Sequence, residues 1–260
     1  MMRALYIAKT GMDSSQFQLD VVSNNLANVN TVGFKRSRGI FEDLYYQTLR
    51  QPGAQLANGN TTPTGLQVGT GSAAVATARI HAQGNMTQTG QPLDMAISGE
   101  GFFRIQLPDG TTAYTRNGEF KRNSNGDVVN PDGYPMNPNI NIPGTANQIT
   151  VSAGGVVQYF LPNNPAPQTA GTIQLTTFIN PQGLESMGNN LYLQSAASGD
   201  PQDGDPQTDI RGSVRSSFVE ASNVNVTEEL VNMITAQRAF EMNSRAITTA
   251  DQMLQKLSQL

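Results

Sequence analysis

One histidine, His81, and no cysteine leave this 260-residue chain little with which to do metal, thiol or acid/base chemistry. Without Cys there are no disulfides, thiolate zinc sites, iron–sulfur clusters or cysteine nucleophiles. The nearest approach to a nucleotide loop is Gly69-x-Gly71-x-x-Ala74, with Asp94 about 20 residues further on. That fingerprint needs a buried strand before it and a helix opening at its end, whereas only Leu66 to Val68 precede it and no helical stripe follows. Gly99-Glu100-Gly101 fails too, because Arg104 stands where the third glycine belongs. Glycoside hydrolysis needs only two carboxylates, and Asp94, Glu100, Asp109 and Glu119 are the candidates. Their positions in turns and at strand ends suit ordinary solvated carboxylates, and the absence of Trp removes the usual sugar platform. His81 reads as a surface or partly buried neutral side chain and not as a ligand. Lys35, Arg36 and Arg38 form a basic cluster that reads as a solvated segment or as inter-subunit salt bridges. With a net charge of -4 a nucleic-acid partner is not expected, and no cofactor or metal is expected either.

Amides fill the space that charge leaves. The chain holds 24 Asn and 22 Gln against 14% charged residues, where an ordinary soluble domain has about 25%. Such a surface hydrogen-bonds without long-range repulsion, which suits subunits packed against copies of themselves. No apolar run is long enough to span a membrane, so membrane insertion is not expected. Met1 to Tyr6 offers one Arg and no long apolar block before Lys9, so export would not use a cleaved signal peptide.

Periodicity makes the two ends helical and the middle β. Leu5, Ala8, Met12, Ser15, Leu19, Val22, Leu26 and Val29 fall at heptad positions, all but Ser15 apolar. The helix is expected to stop between Asn28 and Gly33, and Gly11 reads as a weak point costing about 1 kcal/mol relative to Ala. At the other end Val226, Met233, Phe240, Ile247 and Leu254 recur every seven residues, with Leu230, Ile234 and Leu257 beside them. Asn225 is placed to cap a helix running to about Ser258, roughly 50 Å long. Pairing of the two stripes as a hairpin would leave further apolar residues uncovered, which predicts association with more copies. Between the ends, Asp109-Gly110, Asn117-Gly118, Asn125-Gly126 and Asp132-Gly133 read as hairpin turns between short antiparallel strands. The fold class is therefore α+β, with long terminal helices forming a coiled-coil-like domain and a central all-β domain. Residues 51–71 carry no apolar periodicity and read as an extended or flexible connection. Residues 198–209 read as a surface loop.

Several segments are similar to one family. SNNLANVNTVGFKR, from Ser23 to Arg36, and the stretch from Ser222 to Leu257 resemble the terminal signatures of bacterial flagellar axial proteins, the rod, hook and hook-associated proteins. The segment from Ile97 to Phe120 looks like one shared by hook and rod members. Ala8 to Met12, FEDLYYQTLRQPGAQ from Phe41 to Gln55, and GLQVGTG from Gly65 to Gly71 resemble the distal-rod members in particular. Leu56 to Pro63 carries no residue role.

The resemblance implies a non-enzymatic subunit that assembles helically into the distal rod and transmits torque to the hook. It divides the chain into residues 1–30 and 222–260, the helices of an inner tube around an export channel; 31–71, an extended connecting segment; and 72–221, an outer β domain. Self-assembly would fall to Leu5, Ala8, Met12, Leu19, Val22, Leu26, Val29, Val226, Leu230, Met233, Ile234, Phe240, Ile247, Leu254 and Leu257. Contacts between neighbouring subunits would fall to Phe41, Leu44, Tyr45, Tyr46, Gln51, Pro52, Leu66 and Val68. The implied partners are further copies, the proximal rod protein, the hook protein, the surrounding basal-body rings and the flagellar type III export apparatus, with the rod spanning the periplasm. A hook or proximal rod subunit is the alternative within the family, and a secreted carbohydrate-active enzyme the rival outside it.

Overall fold

A computed structural model describes residues 2–53, 63–162 and 164–258. It is α+β, with one long helix at each end and a strand-rich middle. The residues gather into two compact units, one of 1–27, 37–78 and 225–260, the other of 28–36 and 79–224.

The first unit contains α1 (Met2–Ala27), β1 (Ser37–Asp43), β2 (Gln47–Arg50), β3 (Leu66–Val68), β4 (Ser72–Arg79) and α2 (Val226–Ser258). The side chain of Asn225 caps α2, accepting from the backbone N–H of Thr227 at 3.1 Å, and Glu228 and Glu229 complement the positive end of the helix dipole. The helices pack along each other in antiparallel sense. Asn25 donates to Glu229 at 3.3 Å, while a Cβ on Gly11 would lie 2.7 Å from the Asn243 amide, the same fourteen-residue step along each helix in opposite directions. Gly11 is thus more than a propensity cost, because its missing side chain makes room for Asn243. β1 pairs with β4, and β2 with β3 in antiparallel register, Gln47 opposite Val68 and Arg50 opposite Leu66. The second strand of this hairpin therefore lies within the connection expected to be featureless, and the first ends just before it. All of the hairpin's strand residues but Val68 lie exposed, so no alternation marks them. The part of that connection from 54 to 62 lies outside the described residues.

The second unit is built of short strands: β5 (Met86–Gln88), β6 (Met95–Ser98), β7 (Phe102–Gln106), β8 (Thr112–Thr115), β9 (Lys121–Arg122), β10 (Val128–Val129), β11 (Gln148–Val151), β12 (Val156–Leu161), β13 (Asn164–Thr172), β14 (Leu175–Thr177), β15 (Glu185–Gly188), β16 (Leu191–Leu193), β17 (Gln202–Gly204), β18 (Ser213–Ser216) and β19 (Phe218–Glu220). Its largest sheet runs β15-β16-β8-β7-β14-β17. Period-two alternation sorts β7 and its neighbours onto two faces. Phe103, Ile105, Ala113 and Leu191 join the main core with Met95, Ile97 and Ile173, whereas Phe102, Tyr114 and Tyr192 turn the other way, Phe102 and Tyr114 stacking edge to face with Phe178 and Tyr192 with Phe102. Three of the four expected turns carry glycine at positive φ: Gly110, Gly126 and Gly133. Gly118 does not, and is there because a Cβ would collide with the Met95 carbonyl oxygen. β17 lies within the stretch expected to be a surface loop and pairs with the sheet edge at β14.

Candidate functional site: a self-assembly surface

α2 shows two faces. Glu229, Met233, Ala236, Phe240, Asn243, Ile247, Ala250 and Leu254 follow alternating steps of three and four, and each is buried or half-buried. On the outer arc Val226, Leu230, Val231 and Ile234 are 41 to 58% exposed, and Met242 and Met253 more than half exposed. Of the expected assembly residues, Met233, Phe240, Ile247 and Leu254 thus lie in the inward seam, and Val226, Leu230 and Ile234 face solvent. The side chain of Leu257 lies outside the described residues. On α1, Ala8 and Val22 are buried and Leu5, Met12, Leu19 and Leu26 half-buried. Val29 follows the helix, half-buried, in the other unit.

The connecting residues divide similarly. Phe41 packs edge to face on Phe17 at 6.1 Å, and Leu44 is half-buried, its N–H donating to the Gly71 carbonyl at 2.8 Å. Val68 is half-buried, while Tyr45, Tyr46, Gln51, Pro52 and Leu66 are exposed, Tyr45 to 95%. Leu49 and Val75, not singled out by the sequence, add to this apolar surface. Tyr45, Tyr46 and Leu66 are thus held outward beside the hairpin, leaving a large apolar area exposed.

The sequence missed a buried ion cluster in the second unit. Lys35 is not solvated but fully buried, its ammonium 2.5 Å from Glu220 Oε1 and 2.9 Å from the Ala82 carbonyl. Glu220 also accepts from the Gly84 N–H at 2.8 Å and from the buried Arg116 at 3.3 Å, and its carbonyl accepts from the Gly33 N–H at 2.8 Å. Burial pulls the Lys35 pKa below its usual value, Glu220 opposes this, and Arg116 adds to the lowering. One carboxylate therefore fastens the chain leaving α1 to the strand that leads to α2. Both partners sit beside apolar residues and 185 positions apart, so neither alone signals burial. Beside them His81 is held neutral, its pKa lowered to about 4, chiefly by burial and then by Lys35, Arg116 and Arg79.

The residues first weighed for chemistry have structural work. Gly71 lies against Thr10 of α1 at a φ of +126°, where a Cβ would not fit, and no helix opens after it. Asp94 and Glu119 are paired through their backbones in an antiparallel β-bridge, and Glu100 through its backbone with Arg211 in a parallel one. The Asp109 carboxylate accepts from the N–H and hydroxyl of Thr111 within its own turn, which lowers its pKa. Among the described residues no group of three or more His, Cys, Asp or Glu could hold a metal ion, and no helix is long and apolar enough to cross a membrane.

Comparison with known proteins gives these surfaces a context. Residues 5–35 match the family model of flagella basal body rod proteins, 96–159 that of the flagellar hook protein FlgE/F/G D1 domain, and 215–260 that of the flagellar basal body rod FlgEFG protein C-terminal region. The flagellar basal-body rod protein FlgG of Buchnera aphidicola subsp. Acyrthosiphon pisum is 50% identical over 260 residues, covering the whole of both chains. That of Caulobacter vibrioides is 50% identical, covering all of this chain and 99% of its own. That of Bacillus subtilis is 42% identical over 271 residues, covering all of this chain and 99% of its own. These relatives are structural proteins of the flagellum and not enzymes. With full-length identity at this level, the chain belongs to the FlgG family of flagellar basal-body rod proteins, as a structural subunit of the rod.

Proposed function

We propose that the chain polymerises helically into the distal rod, the drive shaft that carries motor torque across the periplasm to the hook. The observation that carries this is the outer arc of α2, where Leu230, Val231 and Ile234 stand exposed on a helix whose other face is already occupied. Burying each such side chain is worth about 1.5–3 kcal/mol, so copies that cover one another's arcs gain what a lone copy forgoes. In this reading 1–30 and 222–260 supply a coiled-coil-like inner tube, 72–221 an outer β domain, and 31–71 the segment that locks neighbours. The expected assembly residues act in two ways: the seam from Leu5 to Leu26 and from Met233 to Leu254 holds the subunit's helices together, and Val226, Leu230 and Ile234 meet neighbours. Phe41 and Leu44 anchor the connecting segment, and Tyr45, Tyr46, Gln51, Pro52, Leu66 and Val68 reach adjacent copies. Proximal rod protein and hook protein would abut the two ends of the polymer, the basal-body rings would surround it, and subunits would arrive through the flagellar type III apparatus. Electron microscopy of the purified chain tests this. Wild type is expected to form straight tubes and Ile234→Asp none, with the circular dichroism of the β-rich unit unchanged. Normal tubes from Ile234→Asp, or a closed dimer from wild type, would overturn it.

A further inference from the structure

In the first unit a groove of about 390 Å³ runs beside the end of β1 and the start of β2, with β4 as its far wall. Tyr45, Tyr46 and Val75 make it apolar, and Glu42 and Asp43 make it acidic. Asp43 accepts the Tyr46 hydroxyl, which fixes one tyrosine at the rim and raises its pKa. Among the described residues Glu42 has no ion-pair partner. The outer arc of α2 is the converse. At 100° per residue Leu230, Val231, Ile234, Arg238, Met242 and Arg245 fall within about 120° of one another, opposite the seam of Met233, Phe240 and Ile247. Arg238 and Arg245 are exposed, without ion-pair partners among the described residues, and about 10 Å apart along the axis. Glu241 falls inside this arc, between Leu230 and Ile234, so the face carries two cations and one carboxylate.

We infer that the outer arc of α2 in one copy docks into the Glu42–Asp43 groove of a second copy, Arg238 and Arg245 meeting the two carboxylates while Ile234 and Met242 cover Tyr45 and Val75. This rests on the homopolymer reading. The two patches differ, so the contact is head to tail, and a contact of that kind continues from copy to copy instead of closing as a symmetric dimer does. An acidic groove disfavours nucleic acid and anionic surfaces, and a mixed apolar and basic helix face is its complement in both properties.

Charge exchange tests it. In sedimentation at low salt, Glu42→Arg with Asp43→Arg is expected to raise the concentration needed for assembly at least about tenfold, and Arg238→Glu with Arg245→Glu to do the same, because each brings like charges together. The chain carrying all four substitutions again has complementary patches and is expected to regain most of the lost assembly. Recovery of that kind does not follow from a merely structural role, and all four positions are exposed, so the fold is kept. Wild-type tubes with no loss in either double variant, or no recovery in the fourfold variant, would overturn the docking alone. A wild-type chain that stays monomeric at every concentration would overturn the homopolymer reading and the docking with it.

Discussion

Glu220 balances two buried cations, Lys35 and Arg116, and its removal would leave both without a counter-charge. Breaking a buried pair from one side costs about 3–5 kcal/mol, well above the ordinary effect of a substitution. Glu220→Gln is therefore expected to lower the urea midpoint of the β-rich unit sharply, whereas Glu119→Gln, at a half-buried strand end, should shift it little; equal midpoints would contradict the cluster's role. His81 makes a second prediction at this scale. Its pKa is about 4 in the folded chain against an ordinary 6.5, so the unfolded chain binds the extra proton first. Stability is then complete above pH 6.5 and falls as the pH drops from 6.5 towards 4, by up to about 3 kcal/mol. Denaturation of His81→Phe across that window is expected to show a flatter pH profile than wild type, and superimposable profiles would refute it. Amide residues do similar work without charge. Asn25 bonds the backbone of Ser37 through both its Nδ2 and its Oδ1, and Asn223 reaches Arg36, Ile80 and Ala82. Part of the amide-rich composition is thus spent inside the subunit.

Among the elements, the long helices were the most legible. The heptad stripe from Val226 and the cap at Asn225 mark α2 at the residues where it begins and ends, because a 33-residue helix repeats its signal many times. Strands bounded by Asp-Gly and Asn-Gly turns were nearly as clear, β7 and β8 pairing on either side of Asp109-Gly110. What stayed hidden needed contacts far apart in sequence: the β2–β3 hairpin, the Lys35–Glu220 pair, and the reason for Gly11. The last can be tested at its own scale. Gly11→Ala gains about 1 kcal/mol of helix propensity but brings a Cβ to 2.7 Å from the Asn243 amide, so the helices must separate or Asn243 must move. Gly11→Ala alone is expected to weaken assembly, and Gly11→Ala with Asn243→Ala to restore it. Undiminished assembly in the single variant would mean that the close approach has no consequence. The cap offers a simpler check: Asn225→Ala should destabilise α2 by about 1 kcal/mol, read from helix melting in the assembled state.

At the scale of the whole chain the two units differ in how much they bury. Among the described residues, the apolar side chains buried in the first unit are Ala8, Val21, Val22, Ala78 and Ala236, all small. The second buries Phe103, Ile105, Met95, Ile140, Ile173, Leu175 and more. With roughly 25 cal/mol for each Å² of apolar surface removed from water, alanines and valines offset little of the entropy of ordering two helices and four strands. The strand-rich unit should therefore hold by itself, and the helical unit should depend on neighbours. The charge-poor composition fits this reading, since few charges oppose the approach of identical copies. Hydrogen exchange followed by mass spectrometry separates the possibilities. In dilute monomer the amides of β7 and β8 are expected to exchange slowly and those of α1 and α2 quickly, as in locally unfolding segments. On polymerisation the helices should gain protection by more than about a hundredfold while β7 and β8 change little. Helices already as protected as β7 in the monomer would show that the subunit is complete before assembly, and the exposed arc of α2 would then be a finished surface and not one awaiting its neighbour.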